Sequence, residues 1–213
     1  MHRTAMRLLA AVGVIVVLVG LPVSGAQAQT SGDWSTYLNN GARTGYNGAE
    51  WHITPSTAPK LTKQWTDSAG GSISAEPIQV NGTLYYGSND DRLKAFPITN
   101  AIIASTPSSQ SATSFSYPGT TPGISASGAT NGIVWAVENS SPAVLHAYDA
   151  TNLARELYNS TQAGARDSFG AGNKFITPTI VNGHVFVGTQ TGVAVFGSLL
   201  PATPTNVHIV RGS

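Results

Sequence analysis

Three stretches of the chain carry the same order of apolar and polar positions. The first, Ala75 to Phe96, reads AEPIQVNGTLYYGSNDDRLKAF. The second lies within Thr121 to Tyr148 and contains NGIVWAVENSSPAVLHAY; the third, Thr177 to Gly197, reads TPTIVNGHVFVGTQTGVAVFG. Each has an Asn-Gly pair, an apolar run, a polar turn and a second apolar run. The pairs Asn81-Gly82, Asn131-Gly132 and Asn182-Gly183 recur 50 and 51 residues apart. Asn and Gly both tolerate the positive φ of a type I′ turn, so each pair predicts a hairpin. The runs that follow, Leu84-Tyr85-Tyr86, Ile133 to Val137 and Val185-Phe186-Val187, read as strands packed on neighbours. Second turns are expected at Ser88 to Asp91, Glu138 to Pro142 and Thr189 to Gly192. Strands Leu93 to Phe96, Val144 to Tyr148 and Val193 to Phe196 should come after them.

The stretch AYDATNLARELYNS, Ala147 to Ser160, has two readings. As a helix it would be capped by Asp149 or Thr151, with Leu153 and Leu157 on one face. The repeat favours strand, turn, strand, with the turn at Asp149-Ala150-Thr151-Asn152 and the outer strand at Arg155 to Tyr158. A sheet of three or four strands recurring every 40 to 50 residues or so marks a propeller blade. An ordinary β-sandwich with coincidental Asn-Gly turns would not keep so even a spacing. The expected fold is all-β, built of propeller repeats with four-stranded antiparallel blades.

The N-terminus departs from this pattern. Arg3 and Arg7 precede an apolar run from Leu8 to Leu21, and Ala26-Gln27-Ala28 forms a small-x-small site. That order is a secretory signal peptide. A membrane anchor is the competing reading, but the run is shorter than the roughly 20 residues of a spanning helix, and Pro22 ends it. The expected organisation is a signal peptide over 1–28, blades over 29–200 and a tail over 201–213. No membrane span is expected after cleavage, and the location is secreted or periplasmic.

Without Arg3 and Arg7 the remaining nine Lys and Arg face ten Asp and Glu, so no basic field suggests nucleic acid. The chain has no cysteine, which excludes a disulfide framework, a Cys zinc site and covalent haem attachment. An exported chain without disulfides needs a core large enough to stand alone. Only 10% of the residues are charged, which suits a β protein rich in tight turns.

The segment after the leader carries Asp33-Trp34, Arg43-Thr44-Gly45-Tyr46-Asn47, Ile53-Thr54-Pro55 and Leu61…Trp65. It resembles the opening of pyrroloquinoline-quinone (PQQ) repeat β-propellers. Leu145-His146-Ala147-Tyr148-Asp149-Ala150-Thr151-Asn152 resembles that family's blade signature, and Lys174-Phe175…Pro178-Thr179 with Val185 to Thr189 resembles its last blade. The likeness runs from Asp33 to Leu200. It implies that the first strand joins the last blade and closes the ring. The family commonly has seven or eight blades; three hairpin units are present here. The chain is therefore expected to form an incomplete or open propeller of about three to four blades. The first unit opens like a first blade and, after Asn89-Asp90-Asp91, continues like a late one, as if central blades were missing. The tail Pro201 to Ser213 resembles a linker into the start of a fibronectin type III-like domain, cut short.

A PQQ dehydrogenase, by the same resemblance, needs a Trp floor, a calcium held by Glu, Asn and Asp, and a catalytic Asp. Trp65 and Trp135 stand where blade-packing aromatics belong, and Trp34 and Trp51 read as packing residues in the opening segment. Glu138-Asn139 and Asp90-Asp91 read as polar turns; no third oxygen ligand is placed beside the first pair, and adjacent carboxylates on a strand point to opposite faces. Asp167 lies in a Gly-rich loop with no marked partner. His52, His146, His184 and His208 show no metal-binding spacing. No Gly-x-Ser-x-Gly elbow or phosphate loop is present. Asn81-Gly82-Thr83, Asn139-Ser140-Ser141 and Asn159-Ser160-Thr161 fit glycosylation sequons, which matter only in a glycosylating host.

No catalytic, cofactor or metal residue is assigned from sequence. The expected function is a non-catalytic exported scaffold or binding module, its partner an unknown protein or small molecule. The alternatives are a PQQ- and calcium-dependent alcohol or sugar dehydrogenase, or its remnant, and a non-functional fragment.

Overall fold

The computed structural model describes residues 32–40, 42–66, 71–128 and 130–197. The leader 1–28 and the tail 201–213 lie outside them. Strands dominate, joined by two 3₁₀ turns at Ala58–Lys60 and Gly164–Asp167. The first sheet is a meander of β1 (Ile78–Val80), β2 (Thr83–Gly87), β3 (Asp91–Thr99) and β5 (Ser109–Phe115). The short β4 (Ile102–Ile103) folds back on the end of β3. The second sheet is β6 (Gly123–Ser127), β7 (Thr130–Glu138), β8 (Val144–Asp149) and β9 (Asn152–Asn159); the third is β10 (Thr179–Val181), β11 (His184–Gly188) and β12 (Val193–Gly197). All pairings are antiparallel and no sheet closes on itself. The fold is an open, incomplete propeller of three blades.

Two of the three Asn-Gly pairs make the expected turns. Asn81 and Gly82 have φ of 49° and 69°, and Asn182 and Gly183 have 50° and 74°. These are the two positive angles that make a type I′ hairpin match strand twist. The second unit differs. Its β6–β7 turn lies at Gly128 (φ 61°), and Asn131-Gly132 belongs to β7. Ser125 pairs with Ile133 and Ser127 with Thr130, so β7 carries one extra residue there. Asn131, with φ 54°, absorbs it as a bulge. Ala147 to Ser160 is strand, turn, strand: β8 ends at Asp149 and β9 begins at Asn152. Asp149 fixes the turn by accepting from the Thr151 amide (2.8 Å) and hydroxyl (2.6 Å).

The stretch Asn89-Asp90-Asp91, where the sequence changes character, is a tight turn inside one continuous sheet. Asp90 has φ 55°, and beyond it Tyr86 pairs with Lys94 and Gly87 with Leu93.

Sheet two is sandwiched between the others, which explains its apolar run without alternation at Val134 to Val137. One face packs Val134, Ala136, Tyr148 and Leu153 against Ile78, Tyr85, Leu93, Ala95 and Phe115 of sheet one. The opposite face packs Val137 and Leu145 against Val185 and Val187 of sheet three, with Trp135, Phe169 and Phe196 at the margin. Tyr85 donates its hydroxyl across the first interface to the Ala150 carbonyl (2.9 Å), and the Leu153 amide donates to Ser109 Oγ (3.0 Å).

Among the described residues, the segment after the leader adds no strand to the last sheet. Trp34 forms an isolated antiparallel bridge with Gln79 on β1 of the first sheet. The Ile124 amide of β6 donates to the Ser35 carbonyl (3.0 Å), and Arg43 Nη2 donates to Thr179 Oγ1 of β10 (3.2 Å). The first strands of all three sheets thus converge on one short stretch. Gly123 marks how close they come: a Cβ there would sit 3.3 Å from the Ile180 side chain and 3.8 Å from Thr36 Oγ1.

Candidate binding cleft at the junction of the sheets

The connections that enter each sheet meet at one end of the molecule and enclose a shallow cleft of about 10 Å³, room for about one water. Ser74 and Ala75 come from the approach to β1. Pro118, Gly119 and Thr121 come from the β5–β6 connection, and Val137 and Asn139 from the end of β7. Asn173, Phe175 and Ile176 come from the β9–β10 connection. No lining residue is ionisable; the walls offer hydroxyl, amide and apolar groups. The wall is firmly held. Gly87 and Thr120 form a bridge, the Val137 amide donates to Thr120 Oγ1 (3.2 Å), and Asn139 Nδ2 donates to the Tyr117 carbonyl (3.2 Å). Phe175 sits at the rim, 59% exposed and with φ 60°, a left-handed angle uncommon for a bulky residue. Beside it the Lys174 ammonium lies 4.9 Å from the centre of the Tyr117 ring.

A second polar cluster lies between sheets one and two. His146 is buried, with Nδ1 2.6 Å from Glu156 and Nε2 3.4 Å from Glu138. Its ring stacks parallel to Tyr148 (5.7 Å, 5°) and meets the edge of Phe115 (5.5 Å, 74°). Register makes this cluster: Ala136 pairs with His146 and Tyr148 with Glu156, so His146, Tyr148, Glu138 and Glu156 share one face. Burial pushes the Tyr148 hydroxyl well above its ordinary range, and the nearby glutamates act in the same direction.

The other residues weighed in the sequence lie apart. Trp34 packs on the first core and donates from Nε1 to Glu76 (2.8 Å). Trp135 packs on the second core and donates to Ser125 Oγ (2.8 Å). Trp51 is exposed and stacked on His52 (3.6 Å) rather than packed in a core. Trp65 is 39% exposed, and its Nε1 donates to the Ala101 carbonyl (3.0 Å). His184 turns Nδ1 to the Asn182 carbonyl, and His208 lies outside the described residues. The Glu138 carboxylate faces His146 and the Asn139 amide is committed to Tyr117, so the two do not converge on a common point. Asp90 is an exposed turn residue, and Asp91 holds Ser88, Lys94 and the Arg92 amide. Among the described residues no three His, Asp or Glu gather where they could hold a metal ion. The four tryptophans stand at four separate places: Trp34 and Trp135 on the two cores, Trp51 and Trp65 at the surface.

Asp167 has partners that the sequence did not mark. Tyr158 donates its hydroxyl to it (2.6 Å), and Arg166 donates from Nε (2.7 Å) and Nη2 (2.9 Å). The Arg166 guanidinium first, then the Tyr158 hydroxyl, hold the Asp167 carboxyl at about 2. Burial, and then the Asp167 charge, push the Tyr158 hydroxyl up to about 12. The folded Asp167 value lies below the unfolded one of about 3.9. Its stabilisation is therefore complete above the unfolded value and is lost as the pH falls through about 2. A carboxyl chemical-shift titration should place the midpoint near 2, and Arg166→Ala should move it upward.

No protein-family model and no curated protein matches the chain. No helix among the described residues is long and apolar enough to cross a membrane.

Proposed function

We propose that this chain is an exported, non-catalytic binding module of the PQQ-repeat propeller type, with the surface around the junction of the three sheets as its ligand-facing side. The observation that carries this reading is the lining of the cleft. Connections from all three sheets supply hydroxyls, amides and apolar surface there, and none supplies an ionisable group. A surface of this kind holds a ligand by neutral hydrogen bonds and apolar contact rather than by charge. The leader sequence supports export, and the blade signatures support the family.

Two measurements on the purified chain test the reading. Small-molecule and peptide binders found by NMR should shift the amides of Thr121, Asn139 and Asn173 together; shifts confined elsewhere would move the site. Reconstitution with PQQ and calcium, followed by dye-linked oxidation of alcohols and sugars, should give no turnover above a heat-killed control. Turnover would replace this reading with the dehydrogenase.

A further inference from the structure

We infer that Asn182-Gly183 is a self-modifying site: it closes to a succinimide and opens to aspartate and isoaspartate, assisted by the His184 ring, faster than the matched turn Asn81-Gly82. The reaction is intramolecular. The Gly183 nitrogen gives up its proton and attacks Asn182 Cγ. The new N–Cγ bond closes the ring as the Cγ–Nδ2 bond breaks, and Nδ2 takes up the proton and leaves as ammonia. Water then opens the ring at either carbonyl, giving aspartate or isoaspartate. Nothing is oxidised or reduced; the chain exchanges an NH2 group for an OH and gains a negative charge.

The two hairpins are alike in backbone. Asn81 and Asn182 have φ of 49° and 50°, and Gly82 and Gly183 have 69° and 74°. Asn131-Gly132 lies within β7 and matches neither. The neighbours of the two turns differ. At the first turn the fold holds the reacting peptide back. The Gly82 amide donates to the Gln79 side-chain oxygen (3.2 Å), and the Gly82 carbonyl accepts from the Ile98 amide (2.7 Å). The Asp33 carboxylate accepts from the Asn81 amide (3.0 Å), and its charge opposes the negative charge that the attacking nitrogen must gain.

At the second turn the neighbour helps. His184 Nδ1 lies 2.9 Å from the Asn182 carbonyl oxygen. A carbonyl only accepts, so Nδ1 carries a proton and donates it. That carbonyl belongs to the peptide whose nitrogen attacks. Donation to the oxygen draws charge off the nitrogen and stabilises the negative charge that spreads onto the oxygen when the N–H ionises. The ring has a seat built for it. His184 pairs with Gly197 across the β11–β12 ladder, and a Cβ at 197 would lie 2.8 Å from His184 Cδ2. Phe186 flanks the ring, with 6.1 Å between ring centres.

The product acts on the fold. Isoaspartate adds a methylene to the main chain, and a two-residue turn has no slack to absorb it. The ladder between β10 and β11 consists of Thr179 with Phe186, Ile180 with Val185 and Val181 with His184. The pair beside the turn loosens first.

The test uses the chain expressed whole, purified after export and aged in neutral buffer. Peptide mapping by mass spectrometry, with chromatography to separate aspartate from isoaspartate, follows both turns in the same sample. Asn182 should react at least about fivefold faster than Asn81, the size of effect that one exposed hydrogen bond supplies. His184→Phe keeps a ring without the donor and should remove most of that difference. Gly197→Ala keeps the donor but crowds the ring off the carbonyl, and should do the same. Asn81 gauges folding in each variant: unfolding speeds Asn81, whereas loss of the donor slows Asn182 alone. In urea, where both turns are lost, the two rates of the parent should converge. Equal rates at the two turns of the folded parent would overturn the proposal. So would a difference that survives both substitutions, or one that persists in urea.

Discussion

Gly119→Ala is expected to cost about 4 kcal/mol of folding stability. Gly119 has φ 82°, and a Cβ built on it would lie 2.5 Å from the Gly87 carbonyl oxygen and 2.9 Å from the carbonyl carbon and oxygen of Ser88. Each of these atoms is backbone, held by the bridge from Gly87 to Thr120 and by the Gly119 amide donating to the Ser116 carbonyl (2.8 Å). A left-handed angle costs an L-residue roughly 1–2 kcal/mol, and overpacking against unyielding neighbours roughly 1–3 kcal/mol more. Gly183→Ala separates the two effects. Gly183 has φ 74° but nothing within 4 Å of a Cβ, so it should lose only about 1 kcal/mol. Urea midpoints of the two variants measure the difference; equal losses would show that the close approach at Gly119 carries no energetic weight. Because Gly119 lines the cleft, the variant should also distort the wall that links sheets one and two.

His146→Ala is expected to cost about 3 kcal/mol. The substitution removes a buried ring that touches Phe115 and Tyr148, and large-to-small changes at such sites typically cost roughly 2–5 kcal/mol. It also takes the shared partner from Glu138 and Glu156. Their side chains remain 28% and 29% accessible, so water recovers part of that loss and the total stays near the low end. His146→Phe refills the space while taking the imidazole from both carboxylates, of which Glu156 keeps the Asn159 amide (2.9 Å), and should restore about half of the loss. Denaturation midpoints check the order parent, Phe, Ala. If Phe and Ala lose equally, the carboxylate contacts and not the packing hold this interface.

The hairpins were legible because their turns and strands are local. Asn81-Gly82 and Asn182-Gly183 carry their turn chemistry within two residues, and the second turns and strands follow where the apolar runs place them. Asn131-Gly132 misled for a physical reason: the same tolerance of positive φ serves a bulge as well as a turn, and nearby Gly128 took the turn. The outward exposure of Trp51 and Trp65 was not legible, since an aromatic residue in an irregular segment has no period to show which way it faces. The His146 cluster was half legible. Alternation puts His146 and Tyr148 on one face, but Glu138 and Glu156 join them only through strand register and the bulges in β9. The cleft was not legible at all. Its walls come from four segments up to about 100 residues apart, and no local pattern announces that they meet.

The stretch around Trp34 to Arg43 also sets an order of events in folding. The three sheets are chains of hairpins, whose partners lie close in sequence and can form as each unit emerges. Arg43 meets Thr179 across 136 residues, and its partner strand β10 belongs to the last sheet. Closing so long a loop is slow relative to hairpin formation. The first described segment of the chain is therefore among the last to reach its place, and slow-phase amplitude in refolding should report on the Trp34 indole.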